Sequence, residues 1–279
     1  MIKSTKHSAV SYCLLPIAYC LLFSSCQKVI DINLNAAAPQ IVIEASINDQ
    51  PGPYYVKLSQ TVNFSETNIF PAVSGALVKI TDNTGLSEIL TEDPAVPGSY
   101  KTSTIQGVPG RSYTLSVSAA GKNYTSVSDM PLPVNIDSLA INTTTGGFGG
   151  PRKNLEAYFR DPAGVANYYR FGGTLFVLSN HVIQFSIKQN SNPITSDKLR
   201  DGSELTNNFG GRNTLISGDS IVIALQAIDK GAYDYFRTLG QSNNGITSAT
   251  PANPESNISN GALGYFSAYS VRSKGIAVP

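Results

Sequence analysis

Tryptophan is absent from this 279-residue chain, histidine and methionine occur twice each, and cysteine three times. Zinc chemistry wants clustered Cys, His and carboxylate ligands, and the chain has neither an H-E-x-x-H nor a C-x-x-C motif. Charge is scarce as well: Asp, Glu, Lys and Arg make up 14% of residues, against roughly 25% in average globular proteins. Ser, Thr, Asn and Gly supply the polarity instead, an exported-protein style of surface. No basic run or stripe is present to neutralise phosphates, which argues against nucleic acid as a partner. Heptads, repeats of fixed period and low-complexity tails are also missing. The lack of tryptophan weakens the case for a sugar-stacking platform.

One apolar run stands at the start. A basic, acid-free head carries Lys3 and Lys6, and an apolar stretch from Val10 to Phe23 follows, interrupted by Pro16. At about 14 residues it is shorter than the roughly 20 of a spanning helix and reads as the hydrophobic region of a signal peptide. It ends in Phe23-Ser24-Ser25-Cys26, which resembles the bacterial lipobox, with Phe where Leu is commoner. Cys13 and Cys20 lie inside the segment expected to be removed, so the mature chain keeps one thiol and no intramolecular disulfide. Gln27 to Asn35 offers no His or second Cys to make Cys26 a metal ligand or a catalytic thiol. The expectation is a signal peptide over 1–25, lipidation at Cys26 and a lipidated tether over 26–39. Several acyl chains, at about 0.8 kcal/mol per buried methylene, anchor durably without a transmembrane helix. Removing Lys3 and Lys6 with no acid leaves 18 bases against 19 acids on 254 residues.

From Gln40 onward the chain breaks into short alternating runs separated by Gly, Pro, Asn and Asp. Seven strands are expected, over 40–47, 54–61, 76–82, 87–93, 98–104, 111–119 and 122–130. In "RSYTLSVSA" Tyr113, Leu115, Val117 and Ala119 fall on one face and serines and Thr114 on the other, the period of a half-buried strand. Asp82-Asn83-Thr84-Gly85 and Ala120-Gly121-Lys122 read as hairpin turns. Seven strands in about 90 residues predict an immunoglobulin-like β-sandwich over 40–133. Pro131 and Pro133 stiffen the exit. A second β-rich, sandwich-like domain is expected over 134–279, with strands over 135–142, 154–162, 167–180, 181–189, 219–229 and 261–273. One short helix interrupts it: Asp229 caps "KGAYDYFRTL", Ala232, Tyr235, Phe236 and Leu239 share a face, and Gly240 is the stop.

"VIDINL", "SGALVKITD" with "GSYKTS", "DPAGVANYYRF", "LRDGSEL", "GDSIVIALQAIDKGAYDYFRTL" and "TPANPESNISNGALGYFSAYS" together resemble the family known as domain of unknown function 4249. The last is the most specific. The resemblance covers nearly the whole mature chain. It implies a Gram-negative outer-membrane lipoprotein, often encoded beside TonB-dependent transporters, with an immunoglobulin-like first half. It brings no catalytic residues to transfer.

The residues themselves supply few reactive candidates. His181, the one histidine outside the leader, follows Asn180 at an expected turn, and no G-x-S-x-G elbow accompanies it. In "SDKLRDGSE" Asp197, Asp201 and Glu204 could face calcium, but the spacing fails the EF-hand pattern and a solvated Asp-Gly turn is the simpler reading. "GGFGG", 146–150, lacks the Lys-Ser/Thr of a phosphate loop. Adjacent aromatics on a strand point to opposite faces. Tyr54 and Tyr55, Tyr168 and Tyr169, and Tyr265 with Tyr269 are therefore candidate contacts for a ligand or partner, set against packing between the domains; Tyr233, Tyr235 and Phe236 form a further cluster. Ser138 in "DSL" and Ser220 in "DSI" resemble bacterial O-glycosylation sequons.

The expected protein is a non-enzymatic, lipid-anchored accessory or binding protein of the outer membrane, beside a TonB-dependent transporter barrel. No cofactor or metal is expected. A surface hydrolase using paired carboxylates and an adhesin or structural stalk are the alternatives. Only Asp31 follows Cys26 closely, so either face of the membrane is compatible.

Overall fold

The period-two alternation of apolar side chains sets the first half of the molecule. The structure is a computed structural model and describes residues 38–63, 66–67, 69–144, 152–176, 182–183, 194–209, 215, 217–243 and 253–279. Its first strands are β1 (Ile41–Asn48), β2 (Tyr55–Gln60), β3 (Leu77–Asp82), β4 (Ser87–Ile89), β5 (Thr91–Glu92), β6 (Ser99–Lys101), β7 (Ser112–Ala119) and β8 (Lys122–Asp129). On β7 the four expected residues Tyr113, Leu115, Val117 and Ala119 are all buried. The strands form two layers, β1–β2–β6–β5 facing β4–β3–β7–β8, the strand order of an immunoglobulin-type sandwich. Tyr113 adds that fold's tyrosine corner: fully buried at the start of β7, its hydroxyl accepts the Val108 N–H at 2.7 Å.

One expected strand divides. The run 87–93 becomes β4 and β5, because β4 pairs with β3 in one layer and β5 with β6 in the other. Leu90 makes the crossing, its side chain buried and its N–H given to Val78 O at 2.9 Å. Both hairpin turns form. Ala120 and Gly121 take φ of 49° and 73°, the left-handed pair that suits a two-residue hairpin.

The second half contributes β9 (Ser138–Thr144), β10 (Arg152–Arg160), β11 (Tyr168–Phe176), β12 (Val182–Ile183), β13 (Ile194–Ser196), β14 (Glu204–Asn208), β15 (Ser220–Ile228), α1 (Lys230–Asn243) and β16 (Leu263–Ala277). The short strands β13 and β14 have no counterpart in the sequence reading. A small sheet, β14–β10–β9, stands apart from a nine-stranded one whose path runs β12–β11–β15–β16–β1–β2–β6–β5, with β13 on β11. Asp229 caps α1 as expected, accepting the Ala232 N–H at 2.7 Å. Gly240 does not stop it: it avoids the left-handed φ of a C-terminal cap, and the helix continues to Asn243.

The long strand β16 joins the halves. Its first part runs parallel to β1, from Val42 opposite Leu263 to Asn48 opposite Tyr269, and its last part runs antiparallel to β15. Gly264 permits the parallel contact: its φ is 98°, and a Cβ there would stand 2.0 Å from Ile43 O. Two apolar cores form, one built mainly from residues 41–130 and one from residues 134–278. Yet Ile258, Ala262, Phe266 and Ala268 from the chain's end sit in the first core, and residues 38–279 pack as one compact unit. Phe266 and Ala268 face the first core and Ile276 the second. Residues of equal parity share a strand face, so both cores lie on one side of β16. Helix α1 lies against Tyr265 on the other side.

Candidate functional site

Among the described residues, a cleft lies where β1 turns into β2. Asn48 opens the turn by accepting the Gln50 N–H on Oδ1 at 2.9 Å. Asp49 ties the turn to β16, accepting Val271 N–H at 3.0 Å and Arg272 Nη1 at 2.6 Å. Burial pushes the Asp49 carboxyl up, but hydrogen bonds from Arg272, Gln50 and Val271 outweigh it and hold it below the usual carboxylate range. Tyr54 turns inward and donates its hydroxyl to Asn48 O at 2.8 Å, while its N–H reaches Thr102 Oγ1 at 2.9 Å. Tyr55 then points outward, 44% exposed, directly opposite Lys101 on β6. Pro51–Pro53 and Tyr55 make one wall of the cleft and Lys101–Gln106 the other, around about 410 Å3.

Glu88 holds the second wall. From β4 in the opposite layer it accepts N–H bonds from Ser103 (2.5 Å), Thr104 (3.1 Å) and Ile105 (2.7 Å), and both hydroxyls of Ser103 and Thr104. Burial opposes ionisation of Glu88, yet these donors overcome it and hold its pKa at about 2. The wall is fixed before anything binds.

A second cluster sits where the β10–β11 and β13–β14 connections meet. Asp161, Asp197 and Asp201 each bring an oxygen to within 4.8 Å of the others; the first two are buried and the third is exposed. The expected group of Asp197, Asp201 and Glu204 is thus altered: Glu204 opens β14 opposite Arg160, and Asp161 takes its place. Asp161 accepts the Tyr169 hydroxyl at 2.5 Å and the Gly202 N–H at 3.0 Å. Asp197 accepts Asn167 N–H at 2.9 Å and Asp201 accepts Gly164 N–H at 2.8 Å. These bonds lock two facing loops, and the carboxylate oxygens are the protein's nearest approach to a cation ligand set among the described residues.

The candidate tyrosines disperse. Tyr54 and Tyr169 are buried. Tyr168 stacks on Tyr233 with centroids 4.9 Å apart, and Tyr265 meets Tyr235 at 4.9 Å and Phe236 at 4.8 Å, so α1 covers both. Arg170 lies 4.1 Å over the Phe236 ring. Tyr269 accepts Asn48 Nδ2 at 3.0 Å. Burial pushes the Tyr235 hydroxyl up to about 12. Of the six, Tyr55 alone is classed as exposed. Ser138 and Ser220 are exposed at the starts of β9 and β15. Cys26, His181 and the 146–150 loop lie outside the described residues. Lys101, Gln106 and the paired prolines escaped the sequence reading because only the fold brings β6 to β2.

The most specific sequence stretch has a structural job. Asn257 donates Nδ2 to Phe266 O at 2.7 Å and accepts Phe266 N–H on Oδ1 at 2.9 Å, pairing with that backbone as a strand would. Its own carbonyl takes the Ser126 hydroxyl at 2.8 Å, and Ser259 exchanges bonds with Thr125. The segment therefore closes the β8 edge and fastens β16 to the first sandwich.

A search of curated proteins finds no match. The family model described as Domain of unknown function (DUF4249) matches residues 27–275. The chain belongs to this family.

Proposed function

We propose that the protein is a lipid-anchored accessory or binding protein of the outer membrane that works beside a TonB-dependent transporter. The observation that carries this reading is Phe23-Ser24-Ser25-Cys26, a lipobox placed at the end of a short apolar run. Among the described residues no helix is long and apolar enough to cross a membrane. Acyl chains at Cys26 supply the hold. Confinement to the bilayer surface raises the effective concentration of the sandwich near a barrel, so a weak contact is occupied.

The outer face of β4–β3–β7–β8 offers a surface for that contact. Leu77, Ile89 and Val127 stand 54%, 62% and 60% exposed there, among Ser and Thr side chains and with few charges. Interfaces favour such charge-poor centres. Extraction in mild detergent followed by affinity purification tests the reading. Recovery of a transporter barrel is expected. Recovery of no membrane protein, together with turnover of a glycan or peptide, would replace it with a surface hydrolase; binding to host or matrix material alone would replace it with an adhesin.

A further inference from the structure

The cleft at the β1–β2 turn carries a chemistry that the membrane role leaves unused. We propose that it binds one pyranose ring of a glycan and prefers an acidic sugar. Tyr55 supplies the platform: it keeps 44% of its surface exposed while its strand neighbours Val56 and Leu58 are buried. Pro51 and Pro53, both exposed, extend the ring surface along the same wall. The axial C–H groups of a pyranose are weakly positive and match the negative face of an aromatic ring, so a tyrosine can serve where tryptophan is absent.

The facing wall supplies directional bonds. Among the described residues Lys101 is the sole charged one lining the cleft; its side chain is 43% exposed and its ammonium, a group with three donor protons, lies 3.6 Å from Asp93, a pair that uses only a part of them. Gln106 gives Nε2 to Asp49 O at 3.1 Å and so presents Oε1 as an acceptor. Thr102 is buried, and its Oγ1 accepts the Tyr54 N–H, which ties this wall to the Tyr54 side of the cleft. Donors and acceptors side by side suit hydroxyl groups, which need both. A peptide strand would need backbone N–H groups from the wall, and those of residues 103–105 are already spent on Glu88. The roughly 410 Å3 volume lies in the range of small-ligand sites. Because Glu88 fixes the wall in advance, little ordering opposes binding. None of this depends on the lipid or the transporter.

The test uses the full-length protein in mild detergent, with methyl β-D-glucuronide and methyl β-D-glucoside as probes in saturation-transfer NMR and titration. Transfer to the ring protons of both is expected, with tighter binding of the glucuronide. Tyr55→Ala should bind about tenfold more weakly, Tyr55→Phe should bind as the parent does, and Lys101→Met should abolish the preference between the sugars. Unchanged melting temperatures establish that the variants fold. Absence of transfer to either sugar, or full affinity in Tyr55→Ala, overturns the site; a preference that survives Lys101→Met overturns the acidic-sugar assignment. Co-purification of a barrel by Tyr55→Ala keeps this outcome separate from the membrane role.

Discussion

The two halves of the molecule secure their loops in opposite ways. In the first sandwich the carboxylates act singly and apart: Asp82 accepts Thr84 and Leu86 N–H groups and pairs with Arg111 at 2.7 Å, Glu88 gathers the 103–105 wall, and Glu92 takes the Gly75 and Gly98 N–H groups of two connections. In the second half three aspartates converge on one place between two loops. A lone carboxylate surrounded by donors is stabilised as an anion, and the hydrogen bonds to Glu92 hold its pKa at about 2, as Glu88's do. Three like charges together repel, so their stability rests on the bonds each makes outward. The first arrangement spreads its electrostatics along a rigid sandwich, whereas the second concentrates them at a joint. Both halves nonetheless depend on β16.

The strongest test of the contrast removes that shared strand's fit. Gly264→Ala places a methyl against the Ile43 backbone at a left-handed φ and should cost about 4 kcal/mol or more, lowering protection of both halves together in hydrogen exchange. Exchange that rises only after residue 134 would show two independent domains. Asn257→Ala leaves the Phe266 N–H and C=O without partners and should cost about 2–4 kcal/mol in denaturant unfolding, again in a single transition.

Smaller effects should distinguish the loops. Asp161→Ala orphans the buried Tyr169 hydroxyl and the Gly202 N–H, for about 2 kcal/mol. Burial, and then the Asp161 acceptor, already push the Tyr169 hydroxyl far up. The carboxyls of Glu88 and Glu92 fall from 4.5 to about 2 in the folded state. A depressed folded pKa contributes stability that is complete above the unfolded value and is lost as pH falls through the folded one. Stability should therefore decline between about pH 4.5 and 2, and Glu88→Gln, expected to cost about 1 kcal/mol at neutral pH, should flatten that decline. An acid titration of melting temperature checks both. A decline of equal steepness in parent and variant would remove Glu88 from the account.

Much of the first half was legible because alternation reports which face of a strand is buried. Tyr113, Leu115 and Val117 announced β7, and Asp229 announced the start of α1 through the preference for a capping acceptor. Periodicity carries no information about the partner strand, so the parallel pairing of β16 with β1, more than 200 residues apart in sequence, could not be read. The same limit hid Asp161 from Asp197 and Lys101 from Tyr55. The β4–β5 break at Leu90 was hidden for another reason: a residue crossing between layers is apolar in either register. Among the candidate tyrosines, alternation separated Tyr54 from Tyr55 and Tyr168 from Tyr169, but it could not foresee that α1 covers Tyr168 and Tyr265.

The proposed membrane role stands on one sulfur. Intact-mass measurement of the protein isolated from its own cells should find a chain that begins at Cys26 and carries the added mass of several acyl chains. A chain that retains Met1, or one that begins at Cys26 with a free thiol, would contradict the account.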